Sequence, residues 1–466
     1  MLTDELIDRL AEVAGGEHVL TDEVSRACYA YDATNRPHMP EAVVRVATPE
    51  EVSRVLILAN ARGFPVYPRG AGTGYTGGSV PEAGGVALSL ERMNHILSVD
   101  EDNLTATVQS GVVTSDLHAA VEERGLFYPP DPASMATCTI GGNIAENAGG
   151  PRCVKYGVTR EYVMQLEVVL PTGEVIRTGA KTRKSVAGYD LTRLFVGSEG
   201  TLGVVTEATL RLLPKPACAR TALALFSSMD DAARAVSTII RERIIPATLE
   251  FMDRTSIDCV REHAGLDLPE SVGALLIIEV DGYESLVGAQ IERISRLVAE
   301  QCSALSVTVA SDEADRERLW LARRSISAAL MRISPTKINE DIVVPISRVP
   351  DMVRRVRELA EEFDVPIVTF GHAGDGNLHV NVMVDKRDED AMARGHGAVE
   401  KIFRATLEMG GSVSGEHGIG IAKVKYLPWE TGPTALEVMS RIKSALDPAG
   451  ILNPGKVISV HESIGA

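Results

Sequence analysis

The sequence predicts an α+β protein of two domains with a short closing segment, and three observations within its 466 residues predict it. Up to about residue 214, short β-rich runs alternate with helical patterns and many glycines, as in VYPRG, TATVQSGV and GTLGVVTEATLRLLP. At 212–220, LLPKPACAR sets two prolines close together, which blocks both a helix and a central strand and reads as a linker. Beyond it, longer helical patterns alternate with buried strands. The expected domains are 1–214 and 215–440, with 441–466 returning to the first.

The second domain can be followed element by element. DDAARAVSTIIRERII (230–245) has helical apolar spacing, GALLIIEVDG (273–282) is a buried strand, and ESLVGAQIERISRLVAEQ is helical again. DMVRRVRELAEEF (351–363) is a helix, VPIVTFGHAGDGNLHVNVMVD (365–385) is strand, glycine-rich loop and strand, and GAVEKIFRATLEMGG (397–411) is a helix stopped by Gly-Gly. IKSALDPAGILNPGKV (442–457) closes with a helix and a Pro- and Gly-rich turn.

Composition excludes several classes. With 47 Lys and Arg against 64 Asp and Glu, the net charge of −17 argues against nucleic acid or anionic lipid as partner, since both need a basic face. The six cysteines stand scattered with no CxxC pair, so neither a zinc knuckle nor an iron–sulfur cluster has its ligands; they read as reduced thiols of a cytoplasmic protein. The N-terminus, MLTDELIDRLAEVAGGEHVL, lacks the basic start and apolar core of a signal peptide, and the longest apolar runs are too short to span a bilayer. Any membrane association is expected through a partner.

The stretch PRGAGTGYTGGSVP (68–81) contains GTGYTG, a match to GxGxxG. A dinucleotide fingerprint needs its third glycine to open a helix, but here Gly77 and Gly78 lead through Ser79, Val80 and Pro81 to the strand VALSL. The loop can still cradle phosphate, because glycines take positive φ and let successive backbone N–H groups converge in a nest without a helix dipole. A mobile surface loop is the alternative. Two further glycine-dense loops abutting strands, MATCTIGGNIAENAGGPRCVKYGVT (135–159) and FVGSEGTLGVVTEATLRLLPKP (195–216), repeat the demand for close backbone approach.

Together the three stretches resemble the flavin domain of the vanillyl-alcohol-oxidase (PCMH-type) FAD enzymes. The chain from about residue 20 to 457 resembles D-lactate dehydrogenases, glycolate oxidase flavin subunits and D-2-hydroxyglutarate dehydrogenases. The resemblance implies a two-subdomain PCMH-type FAD-binding domain plus an α+β cap domain with an antiparallel sheet. It implies that Pro68, Arg69, Gly70, Ala71, Gly72, Thr73, Gly74, Gly77, Gly78 and Ser79 hold the FAD pyrophosphate. Pro130, Ser134, Thr137, Gly141, Gly142, Asn143, Ala148, Gly149 and Tyr156 would line the flavin and diphosphate. Glu199, Gly200, Gly203 and Val204 would hold the adenine and ribose end, with Asn453 also at the cofactor. The first loop carries no histidine for a covalent link, so FAD is expected to be non-covalent.

The second chemical cluster is GHAGDGNLHVNV (371–382) with SGEHGIG (414–420). Imidazoles with a carboxylate are a usual ligand set for zinc, manganese or iron, and a GDG turn between His372 and His379 can fold the chain back. On LHVNV, His379 and Asn381 share a face. The resemblance implies that His372, His379 and Glu416 bind a divalent metal, zinc first, that Asn381 contacts substrate, and that His417 is the base. Such a site suits oxidation of a small D-2-hydroxy acid, with metal-assisted loss of the hydroxyl proton and hydride transfer to flavin N5. The substrate carboxylate needs a cation, and WLARRSISAALMRISPTKINEDIVVP (320–345) offers Arg323 with Ser327, then Lys337.

Three alternatives remain at this stage: D-2-hydroxyglutarate as substrate, a metal-dependent hydrolase, and a redox-inactive assembly subunit. Electrons from FAD are expected to leave for an electron-transfer flavoprotein, a quinone or an iron–sulfur subunit, in a homodimer or hetero-oligomer.

Overall fold

A computed structural model describes residues 2–34, 36–264 and 268–458, and the chain forms two compact units. Unit 1 takes the chain up to Ala148, then Val158–Lys215 and the stretch from Glu416 onward; unit 2 takes Gly149–Gly157 and Pro216–Gly415. Unit 1 therefore takes the chain back at Glu416, where the sequence suggested residue 441, and positions 459–466 lie outside the described residues. The short insert Gly149–Gly157 belongs to unit 2 because Tyr156 donates its hydroxyl to Asp281 at 2.8 Å and Lys155 pairs with the same carboxylate.

Among the described residues, unit 1 holds two main sheets. In the first, Ala42–Arg45, Val86–Ser89 and Val66–Arg69 run parallel, with Val19–Leu20 antiparallel at the edge. The helix Pro49–Arg62 that links two of these strands has its start and stop written in the sequence. The hydroxyl of Thr48 accepts from Glu51 N–H, Pro49 occupies the first turn, and Gly63 closes it in the left-handed region at φ +69°. Its Val52, Val55, Leu56 and Ala59 pack in one core with Val44, Val66 and Leu88 of the sheet. The second sheet is antiparallel, in the order Ile96–Asp100, Thr105–Gln109, Val204–Arg211, Val163–Val169, Val175–Gly179.

The proline pair is not a plain linker. Leu213–Pro214 pairs with Leu126–Phe127, and Cys218 already opens the strand Cys218–Phe226. Pro214 is tolerated on this two-stranded ribbon because an edge position does not require its missing N–H.

Unit 2 is built on a seven-stranded antiparallel sheet, in the order Ser306–Val309, Cys218–Phe226, Ala274–Gly282, Thr248–Asp253, Ile367–His372, Asn377–Val384, Thr336–Val343. One face packs Met252, Val368, Phe370 and Met383 against Ile257 and Val260 of helix Arg254–Ala264 and Leu319, Trp320 and Ile326 of helix Glu313–Ala329. No helix among the described residues is long and apolar enough to cross a membrane.

The C-terminal part of unit 1 is tied in by backbone and by one buried ion pair. Val66 N–H donates to Ile451 O and Asn453 N–H to Val66 O, both at 2.8 Å. Lys443, on helix Leu427–Leu446, pairs with buried Asp447 and donates to the carbonyls of Thr201 and Leu452, each at 2.7 Å. Burial pushes the Lys443 ammonium below its usual range, against the pull of Asp447. Removing one partner of a buried pair leaves an uncompensated charge, so Lys443→Met is expected to cost about 3 kcal/mol or more, read as a lower urea midpoint of the full chain.

Candidate active site

Two imidazoles meet on one face of the unit 2 sheet. His372 ends the strand Ile367–His372, His379 lies on the next strand, and their Nε2 atoms are 3.3 Å apart. Alternation along paired strands puts them on one face with Glu250, which lies opposite His372 in the register. Nδ1 of His372 is 2.6 Å from Glu250 Oε1, and the other carboxylate oxygen accepts from Arg323 Nε at 2.7 Å. Burial raises the Glu250 carboxyl, but His372 and Arg323 outweigh it and hold it below its usual range. An ionised Glu250 favours a proton on Nδ1 of His372, and in the neutral ring that tautomer would leave Nε2 as the lone pair a metal ligand requires.

The expected substrate residues lie on or above the same face. Arg323 is buried, its guanidinium 4.8 Å from the Phe370 ring centroid. Lys337 donates to Ser327 Oγ at 2.5 Å, and burial pushes its ammonium down to about 8. Asn381 is fully buried: its amide nitrogen reaches Val368 O and His379 O at 3.4 Å, while Oδ1 has no hydrogen-bond partner among the described residues. Asp341, cross-strand from His379, accepts from Gly415 N–H at 2.8 Å and Ser414 Oγ at 3.2 Å. Gly415 is the last residue of unit 2, and Glu416 opens the return to unit 1.

In unit 1, the residues expected at the cofactor differ in how much open space their backbone leaves. Arg69 lies under the glycine loop, donating to Ser79 Oγ at 3.2 Å and Tyr31 O at 2.9 Å. A Cβ at Gly72 would overlap the Arg69 guanidinium, and one at Gly70 would stand 2.4 Å from Thr139 Oγ1. By contrast, a Cβ at Gly74 would meet nothing nearer than Glu146 Oε1 at 3.9 Å, and one at Gly142 only Thr139 Oγ1 at 3.3 Å. These bare backbone surfaces fit a diphosphate that must approach closely. Pro68 lies in the strand Val66–Arg69, and in the loop that follows Ala71 is exposed and Thr73 half-buried.

Others are engaged by neighbouring residues. Asn143 donates to Thr114 Oγ1 at 2.8 Å, Gly141 packs on Ser110, and a Cβ at Gly203 would collide with Val168. Val204 is buried, Gly200 holds a positive φ of 64°, and Ala148 O accepts from Thr159. Pro130 O lies 2.9 Å from His118 Nε2, and Ser134 O accepts from Thr137 Oγ1 at 3.1 Å. Gly149 and Tyr156 belong to unit 2.

His417 stands on a ribbon of unit 1 held against the glycine loop. Its ring stacks on Tyr75 with centroids 4.9 Å apart, and Thr76 Oγ1 donates to its carbonyl at 3.1 Å. Nε2 of His417 lies 3.9 Å from Glu416 Oε1. Glu199 is buried with φ +51°, and its two oxygens accept from Ile419 N–H at 2.6 Å and Gly420 N–H at 2.7 Å. Burial raises the Glu199 carboxyl, opposed by those two amides and by Lys423 and Lys456. Asn453 donates to Gly78 O at 2.9 Å and Glu199 O at 2.7 Å, so it joins two of the expected cofactor loops.

Sequence reasoning missed Glu250 and Asp32. The first lies in ATLEFMD, an ordinary strand sequence, and nothing local marks its acid as a partner of a histidine 122 positions away. Asp32 accepts from Gly77 N–H at 2.8 Å and fixes the glycine loop from outside it.

Residues 215–457 match the family of FAD linked oxidases, C-terminal domain, and residues 40–179 match the FAD binding domain family. The chain is 48% identical over 460 residues to the glycolate oxidase subunit GlcD of Bacillus subtilis (strain 168), covering 98% of each chain. It is 36% identical over 466 residues to a D-lactate dehydrogenase of Anaerostipes hadrus, again covering 98% of each. Among solved structures, p-cresol methylhydroxylase with substrate bound aligns at a TM-score of 0.82 and 18% identity over 98% of this chain and 97% of that one. That identity shows the fold alone, and the fold is the PCMH-type arrangement of FAD-binding and C-terminal domains.

Gly418 tests how closely the ribbon is packed. Its φ is +80°, and a Cβ there would lie 2.2 Å from Glu146 Oε2 and 2.8 Å from Glu199 Oε1. Gly418→Ala is expected to lower stability by about 1–3 kcal/mol, read as a fall in Tm.

Proposed function

The chain belongs to the FAD-linked oxidase family, and from that premise we propose that it is a dehydrogenase of small D-2-hydroxy acids, D-lactate or glycolate, releasing the 2-oxo acid. The observation that carries the reading is the imidazole pair on Glu250 with two cations, buried Arg323 and half-buried Lys337, on the same side of the sheet. His372, His379 and Glu416 would hold a divalent ion, zinc or alternatively manganese or iron. When bound, FAD supplies the two-electron acceptor and the ion a Lewis acid for the substrate hydroxyl.

The protein's own residues do the rest. Glu250 fixes the His372 tautomer, and the cations of Arg323 and Lys337 orient the substrate carboxylate. Lys337 is itself aimed by Ser327. His417 takes the hydroxyl proton, its ring held by Tyr75 and its backbone by Thr76. Asn381 presents a buried carbonyl oxygen that a substrate hydroxyl or a bridging water would satisfy. With its cysteines dispersed along the chain, the protein passes its electrons to an external acceptor, an electron-transfer flavoprotein, a quinone or an iron–sulfur subunit. Lys337 also supports a second reading, since a second cation can receive the second carboxylate of D-2-hydroxyglutarate.

The test is anaerobic titration of the purified flavoprotein with D-lactate, L-lactate, glycolate and D-2-hydroxyglutarate, before and after chelation. Bleaching of the flavin band by a small D-acid or glycolate, lost with EDTA and restored by a divalent ion, is expected. Bleaching that no chelator affects would sink the metal assignment, and bleaching only by D-2-hydroxyglutarate would move the second reading to the front.

The Lys337 ammonium gives a pH signature. It is cationic below about 8 and neutral above, so kcat/KM for the acid is expected to fall with unit slope above that pH. Lys337→Arg stays charged and is expected to remove that alkaline limb.

A further inference from the structure

The turn FVGSEGTLG carries an acid whose carboxylate is directed at another part of the chain. Both oxygens of Glu199 are engaged by the amides of Ile419 and Gly420, two and three residues past His417. The glycine loop grips the same ribbon from its other side. Thr76 O accepts from Ile421 N–H at 2.9 Å and Ala422 N–H at 3.1 Å, while its hydroxyl donates to His417 O. A Cβ on Gly420 would lie 2.2 Å from Thr76 O, and a Cβ on Gly77 would lie 2.4 Å from Ile421. No side chain fits between loop and ribbon at these points. Asp32 anchors Gly77, and Asn453 bridges Gly78 to Glu199, so the loop, the Glu199 turn and the ribbon form one hydrogen-bonded body.

We propose that Glu199 and Thr76 are positioning residues for His417, and that seating of the FAD diphosphate in loop 69–79 sets the position of the base through the 417–422 ribbon. The inference rests on the function proposed above, in which that loop receives FAD and His417 takes the proton. It assigns Glu199 a different task from holding the adenine and ribose end. A buried carboxyl group that accepts from two consecutive amides has no water to replace them, and a ribbon held by it and by Thr76 has little freedom to move independently of the loop. A rigid loop would thus couple occupancy of the cofactor site to the geometry of proton transfer, which is sensitive to small displacements.

The experiment compares apo and FAD-reconstituted full-length chain, wild type and Glu199→Gln, by hydrogen exchange on peptides spanning Gly415–Lys425. Flavin content and single-turnover bleaching by the acid identified above are measured beside it. FAD is expected to slow exchange across 417–422 in the wild type. Glu199→Gln is expected to speed exchange at Ile419 and Gly420 by about tenfold or more, retain its flavin, and bleach about tenfold or more slowly with little change in KM. Loss of flavin with unchanged ribbon exchange would overturn the proposal and return Glu199 to the cofactor. Exchange and bleaching equal to wild type would overturn it as well. Should Glu199→Gln not fold, the wild-type comparison decides, because ribbon exchange indifferent to FAD contradicts the coupling. A wild-type protein that binds FAD yet is bleached by no 2-hydroxy acid defeats the proposed substrate class and leaves the exchange result standing.

Discussion

The candidate chemistry depends on Glu250, a carboxylate with no exposed surface on the central strand of the unit 2 sheet. An ionised carboxylate there would carry a desolvation penalty of roughly several kcal/mol if left alone. Arg323 supplies a counter-charge that does not depend on the protonation of His372. A neutral His372 with its proton on Nδ1 is the form that can bind a metal. One acid thus decides both the tautomer of a candidate ligand and the placement of a candidate clamp, without being expected to touch substrate itself. It follows that truncating Arg323 would also strip Glu250 of its counter-charge, so lost activity in such a variant would not by itself identify the clamp.

Unit 1 works with backbone where unit 2 works with buried charge. The glycines at 72, 77 and 420 are required first by the protein's own packing, because a Cβ at each would strike Arg69, Ile421 or Thr76. In the loop those clashes account for two of the three fingerprint glycines, Gly72 and Gly77, although no helix follows it. Its amides and carbonyls are arranged by Asp32 and Asn453, which supply the pre-organisation that a helix N-terminus gives elsewhere. Lys443 completes the frame, since its contacts to Thr201 and Leu452 tie the turn after Glu199 to the strand of chain that carries Asn453.

Much of this was legible in the sequence for definite reasons. Glycine density marks close approach, and period-two alternation puts His379 and Asn381 on one face, where the pairing with Ile367–His372 also brings His372. Capping residues such as Thr48 and Gly63 mark helix ends locally. Glu250, Asp32 and the use made of Glu199 were not legible, because each acts on a partner far along the chain. The strand Asn377–Val384 is buried at every position, so burial along it gives no contrast between site and core. The proline pair did mark the passage between the units, at Lys215 and Pro216, but that Pro214 also pairs in a strand depends on its being at an edge, which is a property of the assembled ribbon.

Charge balance bears on the substrate. Arg323 and Lys337 supply two cations on one side of the unit 2 sheet, and Glu250 and Asp341 two acids; Asp341 is already committed to Ser414 and Gly415. A divalent ion with Glu416 among its ligands would add one net positive charge to that set. Burial pushes the Lys337 ammonium down to about 8, so its charge near neutrality responds to what binds beside it. A monocarboxylate closes the account at neutrality, whereas a dicarboxylate would leave one excess negative charge in a buried site. Because uncompensated charge is costly away from water, this count supports the proposed monocarboxylate reading over the dicarboxylate one.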